Sequence, residues 1–190
     1  MIADESANPA FIAADFLSQA EHGVDSQAML VTASESIVEP VMQAIREQLD
    51  RLPRKEITEK SLSHSRLIVL KDKQEVIDFT NLYAPEHLII QTTDYADIAG
   101  QVENAGSVFM GPYTPESAGD YASGTNHTLP TNGYAKAYSG VNLDSFIKKI
   151  TFQEITADGI RLLGGTIWTM AANEQLDAHK NAVTIRLNTL

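Results

Sequence analysis

The chain has 190 residues, 43% of them hydrophobic and 21% charged, an ordinary globular composition with material for one main core, which excludes a disordered polymer. Its 14 Lys+Arg against 25 Asp+Glu give a net charge of −11, so it lacks the basic footprint that nucleic acid or an anionic membrane surface requires. The absence of cysteine excludes disulfide scaffolds, thiolate metal sites, iron–sulfur clusters and thiol nucleophiles.

No apolar run approaches the ~18 residues of a membrane span. Met1 to Ser6 carry neither the basic start nor the apolar stretch of a signal peptide, which points to the cytoplasm. Met1-Ile-Ala-Asp4 reads as the end of a strand, so a doubly wound sheet that begins there lacks its first units and the chain reads as truncated. Asn8 as cap and Pro9 at the first helical position open a helix that ends near Gly23. Ala28–Thr32, Arg66–Leu70, His87–Gln91 and Ser107–Gly111 are short runs rich in Val, Ile and Leu, as buried parallel strands require.

Helices fill the intervals. Ser36 with Glu39 predicts a capping box before the helical spacing of Val38, Val41, Met42, Ile45 and Leu49, and Asp72 with Glu75 repeats the pattern. Asp94 predicts a helix running to Ala105, stopped by a left-handed Gly106. From Gly111 to Gly140 the periodicity disappears into Gly, Pro, Ser, Thr, Asn and Tyr. Such a loop is expected to be ordered and functional, with Tyr113, Tyr121, Tyr134 and Tyr138 as apolar bulk to dock it. Phe146, Ile150, Phe152 and Ile155 precede two helices, about 157–172 and 175–187, in a tail too short to fold alone. The whole predicts an α/β fold, a parallel sheet flanked by helices.

Histidines mark the candidate chemistry. Gln19 and His22, three apart at a helix end, can share a metal, although a polar helix end has the same spacing. Glu86-His87 places a carboxylate beside an imidazole at the mouth of a strand, a candidate acid–base pair or a solvated pair. Asp120 and His127 flank a Gly-containing loop and can ligate or orient a ligand. On the last helix Leu176, His179, Val183 and Leu187 form one stripe, which points His179 inward, and Glu174 near its start suits the helix dipole. Together Gln19, His22, Asp120 and His179 make an N/O set suited to Zn²⁺. Two reaction classes remain open: a zinc hydrolase with Glu86 activating water, or a metal-assisted oxidoreductase with His87 as base.

Six blocks carry a resemblance: Ser18-Gln-Ala-Glu-His-Gly23, Asp25-Ser-Gln27, Tyr83-Ala-Pro-Glu-His-Leu88, Gly111-Pro-Tyr-Thr-Pro-Glu-Ser117, Gly119-Asp-Tyr-Ala-Ser-Gly-Thr-Asn-His127 and Ala178-His-Lys-Asn-Ala182. In this order they resemble the histidinol dehydrogenases over essentially the whole chain. Members of that family are longer, and the likeness is to their C-terminal part. It implies an incomplete Rossmann-like sheet domain over 1–141 carrying the zinc and substrate site, and a small helical tail domain over 142–190 that packs across a homodimer.

The family oxidises L-histidinol through the aldehyde to L-histidine, the last steps of histidine biosynthesis, with NAD and one Zn²⁺ per site. The resemblance matches Gln19, His22, Asp120 and His179 to the zinc ligands, with His179 supplied across the dimer. It matches Glu86 and His87 to the acid–base pair. His127 and Glu174 match substrate-binding positions beside the ligands and His87, with Glu174 also reaching across the dimer. No G-x-G-x-x-G is present, and the family's dinucleotide contacts lie outside the matched part, so NAD binding and full turnover are not expected of this chain alone.

Overall fold

A computed structural model describes residues 1–190, which divide into two compact units, Met1–Phe146 and Ile147–Leu190. The first is built on a parallel sheet of five strands: β1 (Ile2–Ala3), β2 (Met29–Thr32), β3 (Arg66–Val69), β4 (His87–Gln91) and β5 (Ser107–Met110). Their spatial order is β3-β2-β1-β4-β5. The apolar runs therefore became strands as their composition requires, and Ile2 of the short central strand lies opposite Val31 on one side and Ile90 on the other.

Side chains alternate across a strand, so the sheet has two different faces. Ala3 and Leu30 join Ile12, Ala13, Phe16 and Leu17 of α1 (Pro9–Ala20) and Val41 and Ile45 of α2 (Val38–Leu49) in one core. Ile2, Val31, Leu88 and Ile90 point the other way, against Val76 and Ile77 of α4 (Lys73–Tyr83) and Ile98 of α5 (Tyr95–Ala99). The remaining helix of this region, α3 (Lys55–Leu62), packs beside α1. Two-sided coverage is why these strands read as continuous apolar runs.

Several local expectations are corrected. Asn8 caps α1 by accepting from Ala10 N at 2.9 Å, with Pro9 at the start, but the helix ends at Ala20 and the chain turns before Gly23. Ser36 caps nothing: its hydroxyl bonds that of Ser34, and a 3₁₀ turn over Glu35–Ile37 leads into α2. Asp72 does cap α4 through Glu75 N at 3.0 Å, while the Glu75 carboxylate accepts from Lys71 N instead of closing the box. The helix after Asp94 stops at Ala99, because Asn81 captures the following turn by accepting from Glu103 N and donating to Gln101 O. Gly106 is consequently not a left-handed stop.

The irregular region contains a helix that has no periodic signal, α6 (Glu116–Tyr121). Its tyrosines do not dock it: Tyr113 and Tyr121 are 87% and 85% exposed, and Tyr134 and Tyr138 are exposed as well. Hydrogen bonds hold it instead, among them Thr125 Oγ1 to Gly119 O and Val141 N to Thr128 O.

The second unit is a helical pair, α7 (Ala157–Asn173) and α8 (Asp177–Asn188). Gly164 lets Leu187 close on α7, since a Cβ there would stand 2.8 Å from a Leu187 methyl. Ala171 and Val183 are buried, whereas Leu162, Trp168, Met170 and Ile185 are exposed. His179 is exposed too, not turned inward with an apolar stripe. A two-helix hairpin has only one shared seam, and Val183 occupies it.

Candidate active site

The site is assembled from one edge of α1, the start of β4 and α6. Along α1, Asp15 and Gln19 are one helical turn apart, and His22 follows in the turn beyond the helix end. On β4, period two puts His87, Ile89 and Gln91 on a single face, the face that meets α1, as the bond from Gln91 Nε2 to Asp15 Oδ2 at 2.9 Å records. α6 brings Glu116 and Asp120, again one turn apart, and its Gly119 sits against the Phe109 ring, which also neighbours His87 at 6.0 Å between centroids.

The ligand atoms of His22, Glu116 and Asp120 lie within 4.8 Å of one another, a grouping that could hold a metal ion. Gln19 Nε2 is buried there without a hydrogen-bond partner, as is Glu116 Oε1. An imidazole, carboxylates and an amide, partly stripped of protein partners, form a donor set that fits Zn²⁺. Glu116 is the residue that sequence reasoning missed. Its spacing to Asp120 on α6 was the available signal, obscured because Pro115-Glu116 reads equally as a helix start.

Glu86 and His87 border this group. Burial pushes the Glu86 carboxyl up, with His22 opposing and Asp120 reinforcing the shift. Burial pushes His87 down, opposed by Asp120 and assisted by His22, which favours the neutral imidazole that a base must be. Burial also pushes Glu116 up, and the adjacent Asp120 carboxylate adds to this. Glu86 and His87 open onto a cleft of about 1100 Å³, whose walls include Gln19, Gln27, Tyr83, Asn132 and Lys136. His127 is exposed in the loop after α6, while Glu174 and His179 stand exposed in the second unit.

The placement of Glu86 depends on the backbone. Ala84 ends α4 in the left-handed region, φ +54°, and turns the chain toward β4. Gly106 N then donates to Pro85 O and Ser107 N to Glu86 O, each at 2.9 Å. A Cβ on residue 106 would lie 2.5 Å from the Glu86 carbonyl oxygen. Gly106→Ala is therefore expected to cost about 2–3 kcal/mol of stability, the scale of overpacking against atoms that cannot rotate away. Urea unfolding checks this; a loss below 0.5 kcal/mol, the range of neutral substitutions, would show that this backbone yields.

The family profile described as histidinol dehydrogenase matches residues 1–187. The histidinol dehydrogenase of Bacteroides thetaiotaomicron is 67% identical over 190 residues, covering 100% of this chain and 44% of that protein. The chloroplastic histidinol dehydrogenase of Arabidopsis thaliana is 56% identical over 191 aligned residues, covering 100% of this chain and 41% of its own length. The crystal structure of the Elizabethkingia anophelis histidinol dehydrogenase superposes with a TM-score of 0.93 at 56% identity, covering 99% of this chain and 43% of that one. The chain thus spans less than half the length of the relatives it matches. No helix is long and apolar enough to cross a membrane. With its profile match over residues 1–187 and its parallel sheet in common, the chain belongs to the histidinol dehydrogenase family.

Proposed function

We propose that this chain forms the zinc and acid–base part of a cytoplasmic histidinol dehydrogenase, which oxidises L-histidinol via L-histidinal to L-histidine with two NAD. The observation that carries this reading is the convergence of His22, Glu116 and Asp120, ligand atoms within 4.8 Å, close enough to Glu86 and His87 for His22 and Asp120 to shift both. Gln19, His22 and Asp120 supply three zinc ligands, and His179 of a partner subunit supplies the fourth. Zn²⁺, when bound, offers a Lewis-acid anchor for the amine and imidazole of the substrate.

The chain's own residues then act on the carbinol. His87 would take the hydroxyl proton in the alcohol oxidation, which gives the aldehyde. Glu86 would accept a proton from water as its oxygen adds to the aldehyde carbon, and oxidation of the resulting hydrate gives the carboxylate. NAD, when bound, would supply the hydride acceptor for each oxidation, one NAD per step. His127 orients the substrate in the same subunit, and Glu174 of a partner subunit accepts a hydrogen bond from its amine. NAD contacts come from the part of the longer protein outside this chain.

The test is stoichiometry in a full-length protein carrying these residues. Two NADH and one L-histidine per L-histidinol, abolished by chelation and restored by Zn²⁺, are expected. Faster turnover of another amino alcohol or diol would overturn the substrate, and metal-dependent ester or amide cleavage without NADH would overturn the reaction class.

A further inference from the structure

Glu116 lies outside the ligand and acid–base sets just described, yet it is 2% exposed, far more buried than its neighbours in the site. Its Oε1 has no hydrogen-bond partner, and neither does His87 Nε2. These two buried orphans face each other at 3.7 Å, just beyond hydrogen-bond length. A buried acceptor or donor without a partner is destabilising, so two of them held in opposition need a reason. Packing is not sufficient: Leu or Met would fill the space without that cost. The contact is also directional, because a carboxylate can only accept and an imidazole Nε2 can donate only in one neutral tautomer.

Resting on the function proposed above, we infer that Glu116 is a positioning residue for His87: in the working enzyme it accepts the Nε2–H hydrogen bond, fixing the ring and leaving Nδ1 as the nitrogen that takes the substrate proton. Glu116 also presents a carboxylate oxygen within 4.8 Å of the ligand atoms of His22 and Asp120, so it stands between that cluster and His87. Aligning a base through its second nitrogen is a general device in proton-transfer sites.

The experiment is Glu116→Gln in the full-length holoenzyme. The amide keeps the shape but can donate to Nε2, which favours the Nδ1–H tautomer and removes the basic nitrogen from its place. The expected result is a loss of about 10²–10⁴-fold in kcat with KM for L-histidinol and bound Zn²⁺ unchanged. ¹⁵N spectra of histidine-labelled protein should move His87 from the Nε2–H to the Nδ1–H tautomer, and Glu116→Asp should recover part of the rate. Loss of Zn²⁺ in parallel with kcat would make Glu116 a metal ligand and overturn the proposal, as would unchanged kcat. If Glu116→Gln does not fold, the wild-type spectrum decides, and an Nδ1–H tautomer there overturns it. Failure of the wild type to oxidise L-histidinol would count against the function, whereas the tautomer reports the Glu116–His87 contact independently.

Discussion

Replacing His87 by Asn in a full-length enzyme with these residues is expected to lower kcat for L-histidinol oxidation by about 10²–10⁴-fold, the usual contribution of a positioned proton acceptor. The asparagine keeps a polar side chain of similar reach at the mouth of β4 but cannot take a proton from an alcohol. Because His87 lies beside the ligand cluster and outside it, bound Zn²⁺ should persist. Glu86→Gln separates the two oxidations. The alcohol step, which uses His87, should continue, while the aldehyde step slows for want of an acceptor for the water proton, so NADH per substrate falls from two towards one and L-histidinal becomes detectable. Equal losses in both steps for both variants would show that the two side chains act as one unit, and would overturn the division of labour.

The second large effect concerns stability and pH. Asp15 is buried on α1 and accepts from Gln91 Nε2 at 2.9 Å. Burial pushes its pKa up from 3.8 to about 6, against the Gln91 hydrogen bond. The native chain therefore binds the proton more tightly than the unfolded one, and this contribution to stability is present below about pH 4 and is lost as pH rises through about 6. About two units at 1.36 kcal/mol each amount to about 3 kcal/mol across that window. Asp15→Asn isolates the effect, because the amide oxygen still accepts from Gln91 but the side chain cannot ionise. Urea unfolding from about pH 4 to pH 7 should show the wild type losing about 3 kcal/mol relative to Asp15→Asn. Parallel curves would mean that water reaches Asp15.

Much of this architecture is legible in the residues, for identifiable reasons. Strands buried on both faces must be short and aliphatic, and His87–Gln91 and Ala28–Thr32 announce themselves that way, whereas Arg66–Leu70 has the same composition but forms a half-exposed edge strand. Asn8-Pro9 and Asp72 mark helix starts because a side-chain acceptor and a missing N–H have local consequences. What escapes local reading is settled at a distance. Asn81 ends α5 from another helix, and α6 forms where Gly119 allows close approach to Phe109. In the site, the residues of α1 and β4 are individually visible, since helical turns and strand alternation place them. Glu116 is not, because its meaning comes from His87 Nε2, which belongs to a different element. His179 fails in the opposite way: its stripe with Leu176 and Val183 is real in sequence, but a pair of helices cannot enclose every position on it.

The central strand is also the shortest, and this bears on the route by which the sheet forms. β2 with β3, and β4 with β5, are two separate parallel pairs, and only Ile2 and Ala3 join them. Asp4 extends the seam by donating to Gln91 O and accepting from Thr93 N. Each pair can form around its own helix crossing, and Ile2 reaches Val31 over a shorter stretch of chain than separates Met29 from Arg66, but pairing Ile2 with Ile90 closes the longest loop in the sheet and is entropically its slowest contact. Two residues thus act as a late-closing clasp. Before it shuts, the α1 edge bearing Gln19 and the β4 mouth bearing His87 belong to halves that have not yet met, so the site and the sheet become complete in the same event.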